Sequence, residues 1–415
     1  MHCRNRTFGS RRQAPSAGYP NLPNMQELLL IPGPVSVAPD VAAACAQPMR
    51  NHRGPYAAKV YAHLNERLQG IFQTKQPVLL LGSSGTGAME AAIVNLFSAG
   101  DRLLALPMGA FGDRIVAIAR AYGASVEVIE SEWGDTPNPA MLRDMLARDR
   151  DASIKGVLVT HNETSTGACA DLQALARARG DHPALLVVDA ISSVGAIDVR
   201  MDEWGLDVVI GASQKALAGF PGAAMIALSR RAWDAAEQAS MPRFYFDVRK
   251  AKAAFDKAQT PWTPPFGILL ALEQATDNYM KEGRHAAFAR HARLAEAFRG
   301  GCSALGLRLF ARPGAYSNTV TAVSATAGTD HRALQQHLRE RYGVVVGGGQ
   351  MKLEGKILRL GTMGALGPKD IIAAMGALEM ALRDFGLPVS PGAGVTAANA
   401  ALSADVPARA RVAAL

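Results

Sequence analysis

The sequence predicts an α/β protein with a large domain on a mostly parallel sheet, followed by a smaller α+β domain. Three observations predict it. From Val78 to Leu228, apolar strand-like runs alternate with helical patterns, the period of a parallel sheet buried by helices on both faces. Beyond a long helical stretch, short strands then interleave with two helices in the manner of a second core. At 415 residues, the chain also exceeds the roughly 250–300 residues at which single cores give way to separate domains.

The elements follow in order. LLLIPGPV (28–35) reads as an extended opening segment broken by Pro32 and Pro34, and a helical pattern runs from about Tyr56 to Phe72. PVLLLGSSGTGAMEAAIVNLF (77–97) gives strand, tight glycine turn and helix. Strands continue at RLLALP, SVEVIE, GVLVTH, LLVVDA, LDVVIGA and GAAMIAL. The stretch from about Asp234 to Thr263 is less regular. PWTPP (261–265) is a rigid non-helical element, because proline lacks the amide a helix needs. A long helix is expected from about Phe266 to Arg299. GLRLF, TVTAVSA, GVVVGGG and ILRLG then supply short strands, with ALQQHLRER and IIAAMGALEMALRDF as helices. The expected division is a flexible basic tail over 1–25, a large domain with its opening segment over 26–280, and a small domain over 281–388. Ala, Pro, Gly and Ser dominate 389–415, which reads as a second tail. No internal repeat is present.

Charge and composition exclude several classes. The net charge of +8 looks like a nucleic-acid signal until it is located. Arg4, Arg6, Arg11 and Arg12 lie in residues 1–24 with no acid among them, which leaves only +4 on the rest. With no recognisable nucleic-acid module or concentrated basic patch, no nucleic-acid partner is expected. The tail lacks the apolar core of a secretory signal and reads as disorder, or as a start placed upstream of Met25. No apolar run reaches membrane length. Cys3, Cys45, Cys169 and Cys302 have neither pairing nor ligand spacing, so free thiols in a reducing, cytoplasmic setting are expected. No His/Cys/Asp cluster has metal spacing, and no metal is expected.

The chemistry sits at strand ends. Asp189 closes LLVVD, and GLDVVIGASQK runs a strand into Gln214 and Lys215. Enzymes on parallel sheets gather their reactive groups at such ends. An Asp and a Lys there suggest pyridoxal 5'-phosphate (PLP), the Lys carrying the aldehyde as a Schiff base and the Asp partnering the pyridine nitrogen. Asp189 reads equally as a helix cap. GSSGTG (82–87) fits either a phosphate cradle at a helix N-terminus or a tight turn with a serine cap. It lacks the dinucleotide GxGxxG spacing and the GK[ST] of a triphosphate loop. Phe111 in PMGAFGDR is a stacking platform or core, and His161 in HNETSTG a satisfied strand-end histidine or a site residue. Thr164 and Gln214 are candidate partners of the ring hydroxyl or the phosphate. Arg359, inside the apolar run KILRLGTMG, requires an anion: a substrate carboxylate or a protein one.

Taken together, IPGP, MRNHRGP, GSSGTGAMEAA, GAFGDR, HNETSTG, VVDAISSVG, GASQKAL, TPWTPP and GGGQMKLEGKILRLGTMG resemble the class V aminotransferases of PLP fold type I. The resemblance runs over roughly residues 26–385 and is nearest to the serine/alanine–glyoxylate group. It implies Lys215 as the Schiff-base lysine, Asp189 as the pyridine-nitrogen partner and Phe111 stacked on the ring. Thr164 approaches the ring hydroxyl, while Ser84, Gly85, Thr86 and Gln214 serve the phosphate. Arg359 takes the substrate carboxylate, with Gly33 also on the substrate side. Thr263 reaches the cofactor phosphate of the neighbouring subunit, so the implied enzyme is a homodimer with shared sites. A tyrosine found three positions earlier in some members is Thr260 here.

The expected reaction is amino transfer between a small amino acid, serine or alanine, and a 2-oxo acid, glyoxylate or pyruvate. Family alternatives are a ureidoglycine-type aminotransferase and a PLP lyase or cysteine desulfurase. Desulfurases typically place His before the lysine, where this chain has Gln214, and carry a mobile catalytic Cys that GVVVGGGQMKLEG lacks. From other classes, a nucleotide-binding oxidoreductase using GSSGTG or a non-catalytic scaffold remains open. Arg53 in NHRG is the one other arginine near the motifs able to meet a distal carboxylate.

Overall fold

A computed structural model describes residues 27–325 and 328–404. Its centre is a seven-stranded sheet in the spatial order Val78–Leu81, Ala224–Leu228, Val208–Ala212, Leu185–Asp189, Ile154–Thr160, Arg102–Leu106, Ser125–Val128. Only Ala224–Leu228 runs against the others, pairing antiparallel on both sides. Along Leu185–Asp189, Leu186 and Val188 enter one apolar core while Leu185 and Val187 enter the core on the opposite face. That alternation explains the unbroken apolar runs: both faces are covered, so no position is left to be polar. Because six strands point the same way, their C-terminal ends converge on one edge of the sheet.

The second sheet is smaller, in the order Leu28–Leu30, Val344–Gly348, Leu358–Gly361, Val320–Ser324, Arg308–Leu309. Helices Arg284–Ala304, His331–Tyr342 and Pro368–Asp384 build its core, in which Phe298, Leu334, Leu338, Leu360 and Leu378 are buried.

Several boundaries differ from the sequence expectation. Leu28–Leu30, read as part of the large domain, pairs in parallel with Val344–Val346 of the small sheet. A three-residue apolar strand carries no mark of its partner, so a long-range pairing of this kind is not legible locally. The long helix is two, Phe266–Glu282 and Arg284–Ala304, divided at Gly283, whose φ of 85° ends the first helix. Within the irregular stretch, Val248–Phe255 is helical, with the Asp247 carboxylate accepting from the amides of Arg249 and Lys250. The segment read as a C-terminal tail contains a helix, Ala393–Ser403, packed on helices Arg284–Ala304 and Pro368–Asp384. Its alanine-rich composition favours a helix as readily as disorder. The buried Glu379 carboxylate secures its start by accepting from the amides of Gly392 and Gly394. The N-terminal basic tail and Cys3 lie outside the described residues. Among those residues, no helix is long and apolar enough to cross a membrane.

Candidate active site

Five strand ends and the turns behind them bound one cavity of about 250 Å³, lined by Gly33, Ser84, Gly85, Thr86, Phe111, Thr164, Asp189, Gln214 and Lys215 among others. Lys215 stands in the turn after Val208–Ala212, which is pinned by Ala218 N–H to Lys215 O (2.9 Å) and Gly219 N–H to Ser213 O (2.9 Å). Its Nζ donates to the carbonyl of Pro32, so the opening segment reaches across to the lysine. A Cβ on Gly33 would lie 2.7 Å from Lys215 Nζ, and its φ of 103° also favours glycine. Asp189 is buried, and its Oδ1 accepts from Ile191 N–H at 3.0 Å.

Two turns form the rest of the wall. Helix Gly85–Leu96 begins beside Ser84, whose side chain makes no cap on its own helix. A Cβ on Gly85 would come within 2.6 Å of the Ile191 side chain, so glycine lets that turn close on the Asp189 strand without displacing Ile191. Helix Ala110–Ala121 carries Phe111 and, three residues later, Arg114. The Arg114 guanidinium lies 4.5 Å from the centroid of the Phe111 ring, and Nη1 donates to Thr86 Oγ1 at 3.2 Å. In the small domain, Arg359 Nε donates to Gly348 O (2.7 Å) and Nη1 to Thr164 O (2.9 Å). Among the described residues it forms no salt bridge, so its buried charge rests on two carbonyl groups rather than on a carboxylate.

The class-V aminotransferase model matches residues 41–361. The chain belongs to that family. It is 40% identical over 378 residues to the small subunit of a soluble hydrogenase from Synechococcus, covering 91% of this chain and 98% of that one. A serine–glyoxylate aminotransferase from Hyphomicrobium methylovorum is 38% identical over 376 residues (89% and 93% covered). An L-aspartate–glyoxylate aminotransferase from Paracoccus denitrificans is 36% identical over 378 residues (90% and 96%). The crystal structure of a pyridoxamine–pyruvate aminotransferase from Mesorhizobium loti superposes with a TM-score of 0.87 at 29% identity, covering 92% of this chain and 98% of that one.

This class-V aminotransferase is a PLP-dependent enzyme of fold type I, and its cavity fits the cofactor. The space is slightly smaller than the roughly 300–1,000 Å³ common for ligand pockets. Gln214 Oε1 is buried with no protein partner, and a helix N-terminus with a free serine hydroxyl offers donors to a phosphate. Burial draws the Lys215 amine down to about 8, with Arg359 and Arg114 adding to the effect and Asp189 opposing it. The amine is therefore partly neutral near physiological pH and nucleophilic toward an aldehyde. Burial also lifts the Asp189 carboxyl to about 7, and the nearby Glu163 charge adds to that. A pyridinium N–H against this carboxylate would add a direct, charged hydrogen-bond donor.

Other expected residues lie elsewhere. Thr263 is exposed in the Thr260–Pro265 segment, against Leu80–Gly82 and Tyr245, outside its own chain's cavity. Arg53 is also outside, donating from Nη1 to Gln259 Oε1 at 2.9 Å. His161 is fully buried, 2.8 Å from Ser193 Oγ through Nδ1, and burial lowers it to about 3; it is a neutral structural histidine. Cys45, Cys169 and Cys302 are unpaired, and burial pushes the thiols of the latter two up to about 12. Arg114, Asn162 and Ser192 line the cavity without having been singled out in the sequence. The i, i+3 spacing of Phe111 and Arg114 was the available signal for the first of them. Asn162 and Ser192, joined at 2.8 Å, gave none.

Proposed function

We propose that this aminotransferase transfers an amino group from serine or alanine to glyoxylate or pyruvate, working as a cytoplasmic homodimer. The observation that carries the reading is the meeting of Lys215 and Asp189 with the Ser84–Thr86 turn in one cavity, beside an Arg359 that has no carboxylate of its own. When bound, PLP supplies an aldehyde and a ring that accepts the electron pair left by proton removal. Lys215 would hold the cofactor at rest, and its freed Nζ would carry the proton away from the donor Cα. Asp189 would keep the ring nitrogen protonated, and Phe111 and Thr164 would hold the ring. Ser84, Gly85, Thr86 and Gln214 would hold the phosphate, joined by Thr263 of a second copy, with Thr260 where some relatives have tyrosine. Arg359 would take the donor carboxylate and so orient Cα toward Lys215. Gly33 leaves room for the lysine to swing.

A dicarboxylate donor is the second reading, favoured by Arg114 in the cavity wall and by the aspartate–glyoxylate relative. Against it, the Arg114 guanidinium is already engaged by Thr86 and the Phe111 face. A distal carboxylate would enter unpaired and bear a desolvation cost. The test is a half-reaction screen following conversion of the bound cofactor to its amine form with serine, alanine, aspartate and glutamate in turn. Serine and alanine should react fastest. Turnover with aspartate or glutamate and none with serine or alanine overturns the assignment.

A further inference from the structure

The first turn of the Phe111 helix is capped from another part of the chain. The residue before the helix is Gly109, which has no side chain to cap with. Glu163, from the two-residue strand Asn162–Glu163 that follows Ile154–Thr160, takes that place: its Oε2 accepts from Phe111 N–H (3.0 Å) and Gly112 N–H (3.1 Å). Its Oε1 accepts from Ser165 N–H (3.1 Å) and Oγ–H (2.6 Å), and Ser165 Oγ accepts from Ala110 N–H (2.9 Å). All three opening amides are thereby satisfied. Glu163 is 0% exposed and forms no salt bridge among the described residues.

This is an expensive way to cap a helix. A Ser, Thr or Asp at position 109 would do it locally, whereas a carboxylate buried without a salt-bridge partner carries a large desolvation penalty, and burial raises the Glu163 carboxyl accordingly. The arrangement also dictates glycine at 109, where a Cβ would lie 2.4–2.5 Å from Glu163 Cγ and Cδ and from Ser165 Oγ. Neither feature is needed merely to start a helix. Both follow if the first turn must be locked to the loop that carries Thr164, whose carbonyl holds Arg359.

We propose that Glu163 is a positioning residue for the cofactor platform: its carboxylate fixes where the Phe111 ring stands in the cavity wall, and so how bound PLP lies. The inference rests on the reading of this cavity as the PLP site. It positions the cofactor through Phe111, while its charge also bears on Asp189.

The test uses the full-length protein with Glu163→Ala, and with the near-isosteric Glu163→Gln in case the first does not fold, each also in a Phe111→Ala background. The alanine variant should weaken PLP binding at least tenfold and, at saturating PLP, lose most of the visible circular dichroism of the bound cofactor. The glutamine variant, which keeps one acceptor oxygen, should fall between it and the parent. In the Phe111→Ala background, both variants should change PLP affinity at least threefold less than they do in the parent. Amide exchange measured without cofactor should be faster at Phe111 and Gly112 in both variants. A purely structural role would lower the melting temperature, leave the dichroism per bound cofactor intact and act equally in either background; that result overturns the proposal. Unchanged exchange at both amides overturns it too, independently of PLP. A parent that binds no PLP instead defeats the reading of the site.

Discussion

Asp189 and Lys215 bring opposite charges into one buried pocket, and burial displaces each toward its neutral form. For the cofactor-free protein this has a definite sign. A carboxyl raised from 3.8 to about 7 on folding holds its proton more tightly in the folded chain. Its contribution is present in full below the ordinary value and is lost as pH rises through about 7. Replacing Asp189 with Asn removes that loss. Urea unfolding of the two apoproteins from pH 4 to 8 should therefore show the variant gaining on the parent, by on the order of 1.4 kcal/mol per pH unit at most. A constant difference across that range would contradict it. The holoenzyme should respond oppositely, with Asp189→Asn binding PLP more weakly at pH 7. Both residues were legible in the sequence because a strand end is a local feature. Glu163 was not, although HNETSTG was noted: its partners are amides of a different strand-end turn, and no spacing encodes that meeting.

Among the elements, the Phe111 helix and the C-terminal helix each depend on a carboxylate from elsewhere. Gly109 has a φ of 168°, ordinary extended backbone, so Gly109→Ala tests packing alone. The added methyl meets a Glu163 side chain held by four hydrogen bonds, and a loss of about 1–3 kcal/mol is expected in denaturant unfolding. Glu379→Ala leaves the amides of Gly392 and Gly394 without their acceptor. It should cost about 1–3 kcal/mol while leaving the PLP affinity of the distant cavity unchanged; a shift in cofactor affinity would be the unexpected result. The strands of the large sheet were legible because burial on both faces leaves an unbroken apolar signature. The C-terminal helix was not, because alanine-rich sequence marks a helix only when something receives it. Here Gly301 permits close approach, since a Cβ there would come within 3.1 Å of the Gly394 carbonyl.

On the scale of the molecule, an aromatic surface surrounds the Thr263 segment. Phe244 is 68% exposed and stacks on Trp262 at 5.1 Å, with Tyr245 6.0 Å from the same ring and Lys250 4.1 Å from Phe244. An exposed patch of this kind calls for a partner, and the proposed second copy of the chain would cover it. Sedimentation should give a dimer, and Phe244→Asp should weaken both the dimer and PLP retention. A fully active monomer in dilute solution would refute this. The two-domain outline was legible in the sequence, but the docking of Leu28–Leu30 on the small sheet was not. That strand has a mechanical consequence. The chain leaves the small sheet at Leu30, touches the large domain at Pro32–Gly33 beside Lys215, meets the small domain once more where Ser36 O accepts from Ala365 N–H (3.1 Å), and re-enters it as backbone after Gly283. A body joined to another by one tether can swivel about any axis, whereas a body joined by two is restricted to turning about the line between them. One end of that line lies at Pro32–Gly33 beside Lys215, so any turning of the small domain would be felt least at the lysine.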